Sequence, residues 1–155
     1  MLFRSGVPPL YLAAKRLAAE GKKVSAVLGF NRADEVFYEK EFAALGAAVT
    51  VMTADGSYGG KGFVTDAPVF TEERGAGEGA AAAFPLYSYL YTCGPEPMLR
   101  AVYRKCRTGG QFSFEERMGC GFGACMGCSC KTVTGYKRIC KEGPVLQKEE
   151  ILWEK

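Results

Sequence analysis

The stretch PPLYLAAKRLAAEGKKVSAVLGFNRADEVFYEKEFAALGAAVTVMT, residues 8–53, decides the fold class because its apolar spacing alternates between two periods. Residues 8–21 open on Pro8 and Pro9, place Leu10, Ala13, Ala14 and Leu17 at helical spacing and stop at Gly21, the marks of a helix. The next run, KKVSAVLGF (22–30), is short, apolar and rich in β-favouring residues, as a buried strand is. ADEVFYEKEFAALGA (33–47) reads as a second helix, with Asp34 near its start and Gly46 at its end, and AAVTVMT (47–53) as a second strand. Helix, strand, helix, strand at this spacing implies βαβ crossovers and a parallel sheet.

Working outward, ADGSYGGKGFVTDA (54–67) is a polar glycine-rich loop, followed by a short helix around Pro68 to Glu73. RGAGEGAAAAFP (74–85) is low in complexity and reads as a variable connection. LYSYLYT (86–92) is a strand, CGP (93–95) a turn, and residues 96–110 a helix with a glycine stop. The remainder holds a cysteine loop and KTVTGYKRIC (131–140), a β-hairpin turning at Thr134-Gly135. The expected fold is α/β: a lobe over 1–110 with a parallel sheet, and a small C-terminal module over 111–155. Gly6-Val7-Pro8-Pro9 looks like the turn after a strand, yet MLFRS before it does not read as one. The expectation is that the first strand is missing, through truncation with a spurious start.

With 155 residues the chain can form one core plus a small module. It is 48% hydrophobic and 24% charged, and no apolar run approaches the 18 or so residues of a membrane span. The expected setting is cytoplasmic, with no membrane. A net charge of +3, evenly spread, lacks the basic stripe of a nucleic-acid binder. Seven cysteines, an odd number, with nothing resembling a signal peptide, argue against a disulfide framework.

Four of those cysteines, Cys120, Cys125, Cys128 and Cys140, lie in ERMGCGFGACMGCSCKTVTGYKRIC (116–140). CxxxxCxxC with a fourth Cys beyond is the plant-type ligand spacing for a 2Fe-2S cluster. The first three thiolates can close on an iron pair only if the loop curls tightly, and Gly119, Gly121, Gly123 and Gly127 permit positive φ there. Zinc is the rival, although a chain without His and with a four-residue first gap fits zinc knuckles poorly. Cys130 offers a rival third ligand, but the spacing favours Cys128. Lys131, Lys137, Arg138 and Lys141 either offset an anionic cluster, meet an acidic partner, or form a solvated basic hairpin.

In a doubly wound sheet, ligands bind at the carboxyl ends of the strands, here SGVPP, GFNRAD, TADGSYGG and TCGPEPM. Gly6 and Gly94 precede helix N-termini, whose free N–H groups suit a pyrophosphate; a turn without a ligand is the alternative. The GxGxxG fingerprint is absent, which excludes an ordinary Rossmann dehydrogenase. Cys106 and the alternating Tyr87, Tyr89 and Tyr91, with Trp153, read as packing residues, and Asp66 as the N-cap of the helix that follows it.

VPPLY, TADGSYGGKGFVTD, TCGPEPMLRAV, ERMGCGFGACMGCSC and RICKEGPVL, in that order from Gly6 to Ile151, resemble the electron-transfer subunits of NAD-dependent dihydroorotate dehydrogenase B, a ferredoxin-reductase-like family. The resemblance implies that 1–110 is a pyridine-nucleotide-binding lobe and 111–155 a 2Fe-2S module. It assigns Cys93, Gly94 and Pro95 to the nicotinamide end of NAD, Asp55, Gly56 and Ser57 to the dinucleotide, and Cys120, Cys125, Cys128 and Cys140 to the cluster. For Cys93 a small residue at a tight strand end is the competing role. It further implies that dihydroorotate is oxidised at FMN in a catalytic partner subunit of a heterotetramer, with electrons passing through the 2Fe-2S cluster and FAD to NAD in pyrimidine biosynthesis. Nothing here matches the family's N-terminal FAD-binding barrel, so the fragment alone is expected to be inactive. Another flavin-linked reductase subunit and a zinc-stabilised module without redox function stand as alternatives.

Overall fold

The computed structural model describes residues 6–71 and 87–153. MLFRS and RGAGEGAAAAFP, on which two of the expectations fall, lie outside the described residues. The described chain forms two compact units: residues 7–71, and Gly6 with 87–153.

The first unit opens with helix α1 (Val7–Ala19), whose missing proline N–H groups fall in the first turn, where no intrahelical partner exists. It ends on Gly21 at φ +73, with the Gly21 N–H on Ala18 O and the Lys22 N–H on Leu17 O. Strands β1 (Ser25–Phe30) and β2 (Ala48–Thr53) are parallel, in register from Ser25↔Ala48 to Phe30↔Thr53, and the short β3 (Gly60–Lys61) adds to β2. Ala14, Ala26, Leu28, Phe30, Phe42 and Val51 form the buried core.

The helix expected over 33–47 is broken. A 3₁₀ turn (Ala33–Glu35) is followed by extended Val36, and Tyr38 takes φ +66 before α2 (Glu39–Ala44) begins. Val36, Phe37 and Tyr38 are consecutive, so one helix could not turn all three towards the sheet. Breaking it lets all three pack on the core, where Tyr38 meets Tyr11 edge-on at 5.1 Å and Phe37 meets Phe30 at 5.5 Å. The loop after β2 closes through a 3₁₀ turn (Val64–Asp66) into α3 (Pro68–Thr71). Asp66 Oδ2 accepts from Phe63 N at 2.9 Å, so this carboxylate closes the turn before α3.

In the second unit, β4 (Leu90–Gly94), α4 (Glu96–Lys105) and β5 (Gly110–Phe114) form a βαβ unit, with β4 and β5 parallel from Leu90↔Gly110 to Gly94↔Phe114. The helix stops at Lys105, five residues short of its expected end. Cys106 there is 5% exposed and its thiol donates to Thr108 O. Strands β6 (Ser129–Thr132) and β7 (Gly135–Arg138) make the hairpin, pairing Thr132 with Gly135 across Val133 and Thr134. The short helix α5 (Ile139–Glu142) leads to β8 (Val145–Gln147), antiparallel to β5. Leu99, Phe112, Ile139 and Leu146 are at most 1% exposed, and Trp153 packs on Tyr103, Phe112 and Phe114.

Candidate functional site

The cysteine loop is built by backbone N–H groups aimed at sulfur. Cys120 Sγ accepts from Ala124 N (3.3 Å) and Cys125 N (3.5 Å), Cys125 Sγ from Gly127 N (3.4 Å), and Cys128 Sγ from Cys140 N (3.4 Å). Such bonds favour thiolate. The Cys125 N–H, followed by the Phe122 N–H, brings the Cys120 thiol down to about 6, and the Cys140 N–H lowers that of Cys128. Hydrogen bonding to Cys128 pushes the Cys140 thiol up. Side-chain contacts join Cys120 with Cys125 and Cys128 with Cys140, so the four sulfurs form two pairs. Among the described residues no three His, Cys, Asp or Glu side chains converge as a mononuclear site requires. A zinc ion needs its ligands around one point, whereas a two-iron cluster takes two thiolates at each iron. The donor set, four thiols gathered as two pairs, fits a two-iron cluster.

The glycines divide into two roles. Gly121 (φ +73) and Gly123 (φ +91) provide the positive φ that the curl requires, joined by Met126 at φ +59. Gly119 and Gly127 are instead close to sulfur: a Cβ at Gly119 would lie 3.3 Å from Cys125 Sγ, and one at Gly127 3.5 Å. The expectation of positive φ at these two positions is thus corrected, because what they provide is space.

Arg138 fixes the loop from behind, donating from Nη1 to Gly123 O at 3.0 Å and from Nε to Glu142 Oε2 at 3.0 Å. Lys137 pairs with Glu150. Two of the four basic residues near the cysteines are therefore engaged within the chain. Cys130 is half-buried, its thiol pushed up by burial and by Glu116 and Glu96.

A second place brings together Gly6, Cys93, Gly94 and Pro95. A Cβ on Gly6 would stand 2.2 Å from Cys93 O, so the Gly6 backbone presses directly on the end of β4. Gly94 faces the Met98 methyl, 2.7 Å from where its own Cβ would be, and Pro95 sets the extended N-cap of α4. The Cys93 thiol is raised by burial, an effect opposed by a hydrogen bond with Ser113 on β5. The first N–H groups of α4 have no partner within the helix, as at any helix start.

The third place is in the first unit, where the loops after β1 and β2 are tied together. Ala54 N donates to Phe30 O (3.0 Å), Asp55 N to Asn31 O (3.2 Å) and Ala33 N to Ser57 Oγ (2.8 Å). Ser57 donates to Asp55 Oδ1 from both N (2.9 Å) and Oγ (2.6 Å), which holds the Asp55 carboxyl below its ordinary range. Buried Thr53 closes the loop through Tyr58 O and N, at 2.6 and 3.1 Å. Gly56 turns at φ +76 against the Lys61 stem. Arg138 was named as a basic neighbour of the cysteines, whereas Glu142, Thr53 and Ser113 escaped sequence reading; only the strand register, which sets Ser113 beside Cys93, could have signalled one of them.

Residues 115–152 match the family described as the iron-sulfur cluster binding domain of dihydroorotate dehydrogenase B. Curated relatives are electron transfer subunits of dihydroorotate dehydrogenase B (NAD(+)). Those of Geobacillus sp. (strain WCH70), Lysinibacillus sphaericus and Bacillus cereus are 45%, 46% and 42% identical over 151, 153 and 153 residues. The alignments cover 94–95% of this chain and 54% of each relative, so the chain spans about half their length. In structure it resembles a chain of the NADH-dependent reduced ferredoxin-NADP oxidoreductase, described for flavin-based electron bifurcation. The TM-score is 0.73 at 28% identity, covering 97% of this chain and 51% of that one. The cysteine loop thus lies inside the match to that cluster-binding domain, and the tied strand-end loops lie inside the length over which the chain is similar to these electron transfer subunits.

Proposed function

We propose that this chain is the pyridine-nucleotide lobe (1–110) and iron-sulfur module (111–155) of an electron transfer subunit. In this reading it relays electrons from dihydroorotate oxidation, at FMN in a catalytic partner subunit, through a 2Fe-2S cluster and FAD to NAD+. The heterotetramer with that partner, a role in pyrimidine biosynthesis and a cytoplasmic setting belong to the same proposal. The observation that carries it is that backbone N–H groups within 120–140 point at the sulfurs of Cys120, Cys125 and Cys128, with Cys140 paired to Cys128. No helix among the described residues is long and apolar enough to cross a membrane, and all seven cysteines are free thiols.

Cys120, Cys125, Cys128 and Cys140 would hold the cluster. When bound, a 2Fe-2S cluster exchanges single electrons whereas a nicotinamide exchanges a hydride, so a flavin is required between them. The chain's own residues hold charge and geometry. N–H groups of Ala124, Cys125, Gly127 and Cys140 stabilise negative sulfur, and Arg138 anchors the Gly123 carbonyl so that the loop keeps its curl. Cys93, Gly94 and Pro95 would border the nicotinamide end of NAD, Gly6 would offer backbone N–H groups suited to a pyrophosphate, and Asp55, Gly56 and Ser57 would contact or border the dinucleotide. We assign FAD no residue of this chain.

Anaerobic reconstitution with ferrous iron and sulfide tests the proposal. The expected product carries about two iron and two acid-labile sulfide per chain with visible absorption. Zinc uptake without sulfide or visible bands would overturn it.

A further inference from the structure

We propose that Arg138 and Glu142 set the reduction potential of the cluster site in opposite senses, the guanidinium favouring the reduced form and the carboxylate the oxidised one. This rests on the cluster reading above and names the charges that tune that same site. One-electron reduction adds one negative charge to a group that four thiolates already make anionic, so a fixed cation beside it favours uptake of the electron. A fixed anion opposes it.

Gly123 places the guanidinium within the loop. Its carbonyl accepts from Arg138 Nη1 at 3.0 Å, while its N–H bonds to the sulfur of Cys140. A Cβ on Gly123 would lie 3.0 Å from Lys141 Cδ and 3.5 Å from Arg138 Cδ, so the arginine stem rests on the same glycine. Glu142 is the strongest partner of Arg138, followed by the thiolates of Cys140 and Cys128, which attract the same guanidinium. Lys137, by contrast, is bound to Glu150. Glu142 Oε2 takes the Arg138 N–H at 2.8 Å and Nε at 3.0 Å, which leaves Nη1 to the loop. Glutamine has the shape of glutamate and still accepts both bonds, so Glu142→Gln removes the charge and keeps the clamp.

The test is a redox titration of the full chain, reconstituted anaerobically with ferrous iron and sulfide and followed by visible absorption and by electron paramagnetic resonance. Arg138→Met should lower the equilibrium constant for one-electron reduction about tenfold, a fall of about 59 mV in potential. Glu142→Gln should raise it about threefold, a smaller change because this carboxylate is 38% exposed and screened by solvent. Arg138→Lys, which keeps the charge, should recover most of the loss. A clamp without an electrostatic role would be weakened by either substitution, so shifts of the same sign in Arg138→Met and Glu142→Gln overturn the proposal, as do shifts under about twofold in both. Where Arg138→Met retains no cluster, Glu142→Gln decides by itself: a raised constant supports the proposal and an unchanged or lowered one overturns it. A wild-type chain that takes up no iron and sulfide overturns the cluster reading itself, and this inference with it.

Discussion

The loop after β2 and the cysteine loop are both glycine-rich and both turn through positive φ, yet they are held by different means. In the first, the carboxylate and hydroxyls of Asp55, Ser57 and Thr53 are satisfied by neighbouring backbone and by each other. In the second, the bonds are N–H to sulfur at 3.3–3.5 Å, and four sulfurs are gathered with Arg138 behind them. A loop closed by its own side chains is complete as a protein structure. One that collects sulfurs is stabilised fully only when those sulfurs share something.

The largest effect that separates the two loops is expected from Cys120→Ser. It should abolish the visible absorption of the reconstituted chain and cost about 3 kcal/mol or more locally, because the bound group stabilises only the folded loop. Hydrogen exchange should show lost protection over 118–140 with β1 and β2 unchanged; loss at both would erase the distinction. Next is Gly59→Ala in the first loop. There φ is +66 and a Cβ would lie 2.3 Å from Val51 O, so a cost of about 2–4 kcal/mol is expected by chemical denaturation. An effect below 0.5 kcal/mol would show that this loop is looser than described here.

Arg138→Met should be milder, about 1–2 kcal/mol, since it removes charge-assisted bonds at a half-buried site. Its signature is faster loss of iron to a chelator with no change in nucleotide binding. The smallest effect is at Glu150, whose carboxyl Lys137 holds below its ordinary value. A group lowered in the folded state contributes above its unfolded pKa and loses that contribution as pH falls through the folded one. Glu150→Gln should therefore cost a few tenths to about 1 kcal/mol at pH 7 and nothing at pH 2, seen as a flatter acid limb. Equal loss at both pH values would point to packing.

What the sequence disclosed follows the range of the interactions involved. The first helix and β1 and β2 were legible because period and glycine stops are local signals, and the spacing from which the four cysteines are proposed as ligands is local too. The break at Tyr38 was hidden, since VFYEKEF has helical propensity and only contact with Tyr11 and Phe30 rewards breaking it. β5 and β8 went unassigned as short runs, QFSF and VLQ, that become strands through pairing across more than thirty residues. Ser57 was named, but its bond to Ala33, 24 residues away, was beyond any pattern. Comparison with relatives added a likeness that runs through both loops, over 95% of the chain.

The hairpin of β6 and β7 returns the chain on itself so that Cys140 N lies on Cys128 Sγ, which keeps all four sulfurs within residues 120–140. Bringing them together closes only short loops, whose entropy cost is small and grows slowly with length. In kinetic terms the site has low contact order, so it can assemble and come apart on a faster timescale than the sheet pairings. Loading of iron and sulfide would thus be a local event in the life of this chain, reversible without global unfolding.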